Sequence, residues 1–251
     1  MAISGAAANP NAGYHSSPAV AFFLTVLNAR LGWWIGNPLL DSWNRPSPPF
    51  GLFYTLSELF GFSGVKRKYV NLSDGGHFEN MGLYELVRRR CRFIVVCDGE
   101  QDDRYSFNGI AGAIRKCRVD FGVVIDLATD PIAPIRKGPS RQHIAVGDII
   151  YPGEKGRGTL VYLKASLTGD EPSDVKEYRD GHKEFPHQTT ADQFFDESQF
   201  ESYRALGQHI ADGAFPEWTA APSDRFGEEL DAMAEQIRKR HDVDGPKDVR
   251  V

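Results

Sequence analysis

Tyr69 to Asp102 reads YVNLSDGGHFENMGLYELVRRRCRFIVVCDGEQD, and the spacing of its apolar residues decides the fold class. Lys68 to Leu72 (KYVNL) has strand character and runs into Ser73-Asp74-Gly75-Gly76, residue types that favour a tight turn. A helix is expected from about Phe78 to Arg90, with Leu83, Leu86 and Val87 on one face. Glu79 falls in its first turn and Arg88, Arg89 and Arg90 in its last, where each charge complements the helix dipole. Phe93 to Cys97 (FIVVC) is a continuous apolar run of the kind buried parallel strands use.

Working outward, Ile110, Ile114 and Cys117 mark another helix, and Val123 to Leu127 (VVIDL) another strand. The alternation of strand and helix implies an α/β fold with a parallel sheet and right-handed crossovers. Ile144 to Tyr151 and Thr159 to Leu167 look like a hairpin around the glycine-rich turn at 153–158. The remainder is expected to be helical. Thr190 with Gln193 forms a capping box before Phe194 and Phe195, and Phe226, Leu230, Met233, Ala234 and Ile237 line a final amphipathic helix. Residues 241–251 read as a polar tail, and neither an internal repeat nor a clear domain boundary stands out.

Upstream, residues 44–50 (NRPSPPF) form a proline-rich loop, and Phe53 to Phe60 is an apolar helix candidate closed by Gly61. Ala19 to Trp34 (AVAFFLTVLNARLGWW) is the most apolar segment, interrupted by Asn28 and Arg30 and shorter than the ~20 apolar residues that a spanning helix needs. It reads as a buried helix, as a helix packed on absent structure, or as an interfacial anchor with Trp33, Trp34 and Trp43 at headgroup depth. The first ten residues, MAISGAAANP, lack the basic and apolar regions of a signal peptide.

The 251-residue chain is 41% hydrophobic and 25% charged, ordinary for a globular protein and incompatible with wholesale disorder. A formal charge of -5 provides no electrostatic footprint for nucleic acid. Cys91, Cys97 and Cys117 are odd in number and form no C-x-x-C, so they are expected to be reduced, buried thiols.

The densest polar cluster is Ser73 to Asn80. Asp74 is positioned as a general base beyond a strand end, or as a simple helix cap, and Gly75 and Gly76 let backbone N–H groups approach a ligand. His77-Phe78-Glu79 lacks the P-C-x-x-C of a zinc deaminase. Asp98, Glu100, Asp102 and Asp103 do not fit an EF-hand and read as a solvated loop. No phosphate-binding glycine loop and no H-E-x-x-H is present, so no metal ligand set and no cofactor is read from the chain. Gly61-Phe62-Ser63-Gly64-Val65 approaches a nucleophile elbow, but Val65 replaces the last glycine and Lys66, Arg67 and Lys68 follow, so it reads as a turn.

The run from Tyr69 to Asp102 resembles bacterial patatin-like phospholipases, a family related to cytosolic phospholipase A2. Family-like stretches continue in AISGAAANPNAGYHSSPA near the start, AIRKCRVDFGVVIDL in the middle and FPHQTTADQFFDESQFESYRALG from Phe185 to Gly207. The resemblance implies a partial patatin-like core over residues 1–240, with a C-terminal hairpin and helices. It implies a Ser-Asp dyad in which Asp74 takes the serine proton directly. The elbow and the glycine-rich oxyanion loop belong upstream in this family, so the chain is expected to be a C-terminal portion that alone is weakly active or inactive.

Three functions compete. The first is the Asp-bearing part of a lipid or phospholipid acyl hydrolase, partnered by an upstream nucleophile segment. The second is a non-catalytic lipid- or membrane-associated module on the same scaffold, and the third is an unrelated hydrolase pairing Ser63 with Asp74. No nucleic-acid partner is expected. The expected location is cytoplasmic, with the inner membrane face as a peripheral docking surface. The basic residues Lys66, Arg67, Lys68 and Arg88 to Arg92 read as helix-end cations or as an anionic headgroup site.

Overall fold

The computed structural model describes residues 33–41, 43–51, 53–54, 57, 64, 66–72, 75–134, 138–153, 156–189, 194–215, 232–233 and 235–239, with His77 described by its backbone only. The chain divides into two compact units, residues 1–80 and 81–251.

In the first unit, β1 (Trp33–Gly36) pairs antiparallel with β2 (Tyr69–Leu72), in the register Trp33 with Leu72 and Gly36 with Tyr69. The strand at KYVNL therefore forms where its sequence places it. Trp33 and Trp34, expected at the end of a helix, are instead extended; residues 19–32 lie outside the described residues. Tryptophan and isoleucine suit a pleated surface, and pairing with β2 outweighs the weak helical pattern. Buried Asn37 staples the exit of β1: its Nδ2 donates to the Arg67 carbonyl at 2.7 Å and its Oδ1 accepts from Leu39 N at 3.0 Å. Tyr54 lies between Trp34 and Tyr69, with ring centroids 5.5 and 5.2 Å away. Residues 44–50 contain neither helix nor strand, while Gly51, Phe53, Tyr54 and Ser57 have helical backbone.

The second unit is a mixed α/β structure. Its four-stranded sheet, among the described residues, has the order β3 (Phe93–Asp98), β6 (Arg157–Lys164), β5 (Ile144–Ile150), β4 (Val124–Asp126). Only β3 and β6 are parallel neighbours; β5 runs antiparallel to both β6 and β4. The expected hairpin of β5 and β6 forms, and it inserts between the two strands that the sequence suggested as parallel neighbours. The sheet is thus mixed rather than parallel, and β2 belongs to a different sheet.

Helix α1 (Leu83–Arg88) and helix α2 (Asn108–Phe121) cover one face. Leu83, Val87, Ile110, Ala113 and Cys117 from these helices meet Ile94, Val96, Ile125, Ile149, Leu160 and Tyr162 from the strands. Helices α3 (Ser173–Gly181) and α4 (Glu197–Ala214) cover the other, where Val175, Tyr178, Leu206 and Ile210 pack with Ile144, Val161 and Leu163. Burying each such aliphatic side chain is worth about 1.5–3 kcal/mol. Strand β6 is covered on both faces, whereas β3 alternates, with Ile94 and Val96 buried but Val95 and Cys97 exposed. FIVVC is therefore a half-covered edge strand of this sheet among the described residues. A short apolar run does not reveal how many layers flank it.

Helix boundaries depart from expectation for local reasons. Helix α1 begins at Leu83, not Phe78, because Gly82 adopts a left-handed backbone (φ 68) immediately before it. Arg89 caps its end and Arg90 turns left-handed (φ 56), so the helix also stops earlier. Helix α2 ends as a glycine cap, with Gly122 at φ 64 and its N–H on the Arg118 carbonyl at 3.0 Å. Helix α4 starts at Glu197 under Asp196, whose Oδ1 accepts from Gln199 N at 2.7 Å; Phe194 and Phe195 precede it and are exposed. Thr190 and Gln193 lie outside the described residues.

Residues 232–233 and 235–239 are helical, and Ile237 is buried with Met233 against it. Arg238 ties this segment to the sheet through Asp148 Oδ1 at 2.5 Å and Thr159 Oγ1 at 3.3 Å. Phe226, Leu230, Ala234 and residues 241–251 lie outside the described residues. All three cysteines are free, but only Cys117 is buried; Cys97, expected inside, is exposed because it sits on the uncovered face of β3.

Candidate functional site

Strand β2 ends at Leu72, and Ser73 and Asp74 lie outside the described residues. Gly75 opens a 3₁₀ turn through His77, and its carbonyl accepts from Phe78 N at 2.9 Å and Glu79 N at 3.0 Å. Gly75 and Gly76 are exposed, and a Cβ built on Gly75 would meet nothing within 4 Å. This backbone is open to close approach from outside. The turn is separate from α1, so Glu79 does not belong to the first helical turn, where Glu85 stands instead.

Glu85 also accounts for two of the arginines. Its carboxylate pairs with Arg88 Nε at 2.7 Å and Arg89 Nε at 2.8 Å, and these hydrogen bonds pull its pKa down to about 2. Arg90 donates to the Pro152 carbonyl at 3.0 Å and lies over the Tyr151 ring. Arg88 and Arg89 thus share one carboxylate partner within their own helix.

The principal polar cluster of the second unit is one that the sequence did not suggest. Asp98 and Lys164 are the last residues of the parallel strands β3 and β6 and are partners in register. Lys164 Nζ lies 3.1 Å from Asp98 Oδ1, with both side chains almost wholly buried, and also donates to the Glu100 carbonyl at 3.0 Å. Glu100 N donates to Asp98 Oδ1 at 2.8 Å, and the Tyr162 hydroxyl donates to Oδ2. Burial, then the hydrogen bond to Asp98 and its charge, push the Tyr162 hydroxyl strongly upward in pKa. DGEQDD is therefore not a simple solvated loop. Its first carboxylate is sequestered because a lysine from a distant strand neutralises it.

Asp102 organises the rest of this loop by accepting from Ser106 N, Ser106 Oγ and Phe107 N, each at 2.8 Å. Burial alone would raise its pKa; these hydrogen bonds, with the Lys164 charge, reverse the sign and lower it. Buried His187 accepts from Asp102 N at 3.4 Å and meets the Tyr105 ring edge-on at 4.8 Å. Burial and the nearby Lys164 charge lower the His187 pKa, so its imidazole is held neutral. The cluster sits at the carboxyl ends of parallel strands, where α/β sheets commonly place ligands. Its carboxylate and ammonium, however, are committed to one another.

A second constellation comprises His143, Asp170 and His209, whose ligand atoms all lie within 4.8 Å of one another. His143 precedes β5, Asp170 follows β6 and His209 lies in α4. Asp170 is lowered in pKa chiefly by the Thr168 hydroxyl and also by His209, while burial lowers His143. No local spacing links these residues, so only packing could have revealed them.

Among the described residues, no helix is long and apolar enough to cross a membrane. Trp33 and Trp43 are exposed, as are Leu39, Phe50 and Phe53. Comparison with protein-family models, curated proteins and solved structures finds no match to this chain.

Proposed function

We propose that this chain carries the aspartate of a serine acyl hydrolase that acts on lipid esters, with Asp74 as the base. The observation that carries the reading is positional: Asp74 follows β2, which ends at Leu72, and directly precedes the exposed Gly75-Gly76 backbone. An aspartate two positions past the end of a strand in sequence, next to exposed glycines, is a residue type suited to proton abstraction at a solvent-accessible ester. The resemblance of Tyr69 to Asp102 to patatin-like phospholipases supports the same assignment.

In this reading a serine from outside residues 1–251 gives its proton to the Asp74 carboxylate as its oxygen bonds to the ester carbonyl carbon. Asp74 then returns the proton to the departing alcohol. Water, deprotonated by the same carboxylate, releases the acid and restores the serine. Without the nucleophile, the base has nothing to activate.

The test is hydrolysis of a phospholipid and a short-chain ester by the chain alone and by the chain joined to its upstream reading frame. Turnover is expected only in the joined form, and Asp74→Asn should cost about 10³-fold or more in kcat. Retained turnover in Asp74→Asn would overturn the proposal.

A second reading, a non-catalytic module held on lipid, draws on exposed Trp33, Leu39, Trp43, Phe50 and Phe53 of the first unit. It predicts that vesicles sediment the chain, that Trp43→Ala weakens this binding, and that no ester is cleaved in either form.

A further inference from the structure

The geometry points to a divalent transition-metal site formed by His143, Asp170 and His209, taking a cation of the zinc class. Two imidazoles and one carboxylate are a donor set that suits zinc and its neighbours better than calcium or magnesium, which prefer oxygen alone. His209 Nε2 and Asp170 Oδ1 are 3.1 Å apart, close to the ~3.0–3.5 Å between adjacent ligands on an ion with bonds of ~2.1 Å.

Both ring nitrogens of His143 are held by hydroxyls, Nδ1 by Ser166 and Nε2 by Thr168. Ser166 is fully buried, and its hydroxyl donates to the Lys164 carbonyl at 3.2 Å. Ser166 Oγ also stands 3.0 Å from His143 Nδ1, and when it accepts the Nδ1 hydrogen the imidazole is left unprotonated at Nε2. In that tautomer His143 Nε2 presents its lone pair toward the cluster. This is the outer-shell arrangement that orients metal-binding histidines.

A single hydroxyl hydrogen, that of Thr168, faces three acceptors in the cluster. Thr168 Oγ1 stands 3.0 Å from His143 Nε2, 2.5 Å from Asp170 Oδ1 and 3.3 Å from Glu171 Oε1, with one hydrogen to share. A cation would satisfy His143 Nε2 and Asp170 Oδ1 together. It would also replace the hydrogen between His209 and Asp170, leaving His209 protonated on Nδ1.

The support is built rather than incidental. Buried Glu171 takes backbone hydrogens from Thr168 at 2.5 Å and Gly169 at 3.0 Å, which shapes the loop that presents Asp170. His209 is carried on α4, whose Leu206 and Ile210 are anchored in the core. Three protein ligands leave further positions for water, and the exposed side of Asp170 supplies the opening. The ion would clasp the start of β5, the loop after β6 and α4.

The test uses the full chain freed of metal by chelator, titrated with Zn²⁺ by calorimetry and with Co²⁺ by visible absorbance. One ion per chain is expected, with Kd tighter than about 10 µM, together with a rise in Tm. Asp170→Asn, His143→Gln and His209→Gln should each weaken binding at least about tenfold and remove the Tm rise. Asp170 is largely exposed, so Asp170→Asn should keep the parental circular dichroism. Weaker binding by the parent chain, or an affinity that the variants share, overturns the site. Neither result bears on Asp74, which the ester assay tests separately.

Discussion

Asp98 and Lys164 end two adjacent parallel strands as register partners, and their side chains form an ion pair at 3.1 Å with almost no exposure to water. Desolvating both charges is costly, and the structure offsets that cost by giving each further partners: Glu100 N and the Tyr162 hydroxyl for the carboxylate, and the Glu100 carbonyl for the ammonium.

Removing one member should therefore cost more than removing both. Lys164→Met leaves Asp98 buried and unpaired and should destabilise the chain by about 3–5 kcal/mol. Asp98→Leu combined with Lys164→Met should recover most of that loss. Urea midpoints of the two single variants and the double variant measure the coupling.

Tyr162→Phe should cost about 1.5–3 kcal/mol, because it strips the hydrogen bond from Asp98 Oδ2 in a site that water does not reach. Its phenol should also stay protonated in the folded chain while exposed tyrosines ionise. A spectrophotometric titration of the variant against the parent reads the missing group only where unfolding begins.

His187 makes stability depend on pH with a definite sign. Burial and Lys164 lower its pKa in the folded chain, against an ordinary value of 6.5, despite the opposing pull of Asp102 and Asp103. Below 6.5 the unfolded chain takes a proton that the folded chain refuses, so stability falls from there down to the depressed folded value. His187→Gln should reduce that slope in urea midpoints between pH 7 and about pH 5. Equal slopes in both proteins would contradict the assignment.

Thiol accessibility separates the cysteines. Cys97 faces outward from β3 and should be alkylated first by iodoacetamide, with Cys91 slower. Cys117 is fully buried on α2 and should react only as the chain unfolds. Mass spectrometry with and without urea gives the order.

Much of the architecture was legible because its causes are local. The strands at KYVNL, FIVVC and VVIDL, the helix through Ile110, Ile114 and Cys117, and the β5–β6 hairpin each follow from side-chain period and turn residues within a short window. The start of α1 departs from the periodic pattern because a left-handed Gly82 interrupts a run that otherwise looks helical. Trp33 and Trp34 are extended because a strand partner in the chain's later residues pairs with them, which the local apolar pattern does not reveal.

What lay beyond the sequence was pairing across distance. Inserting β5 and β6 between β3 and β4 brings Tyr162 to Asp98, 64 positions away, and turns an acidic loop into a neutralised core group. Packing α4 against the sheet brings His209 to Asp170, 39 positions away, and both to His143. Period and propensity act over a turn or a strand, whereas the neutralisation of a buried charge and the assembly of a ligand set depend on which distant segment excludes the water. That choice is made only by the folded chain.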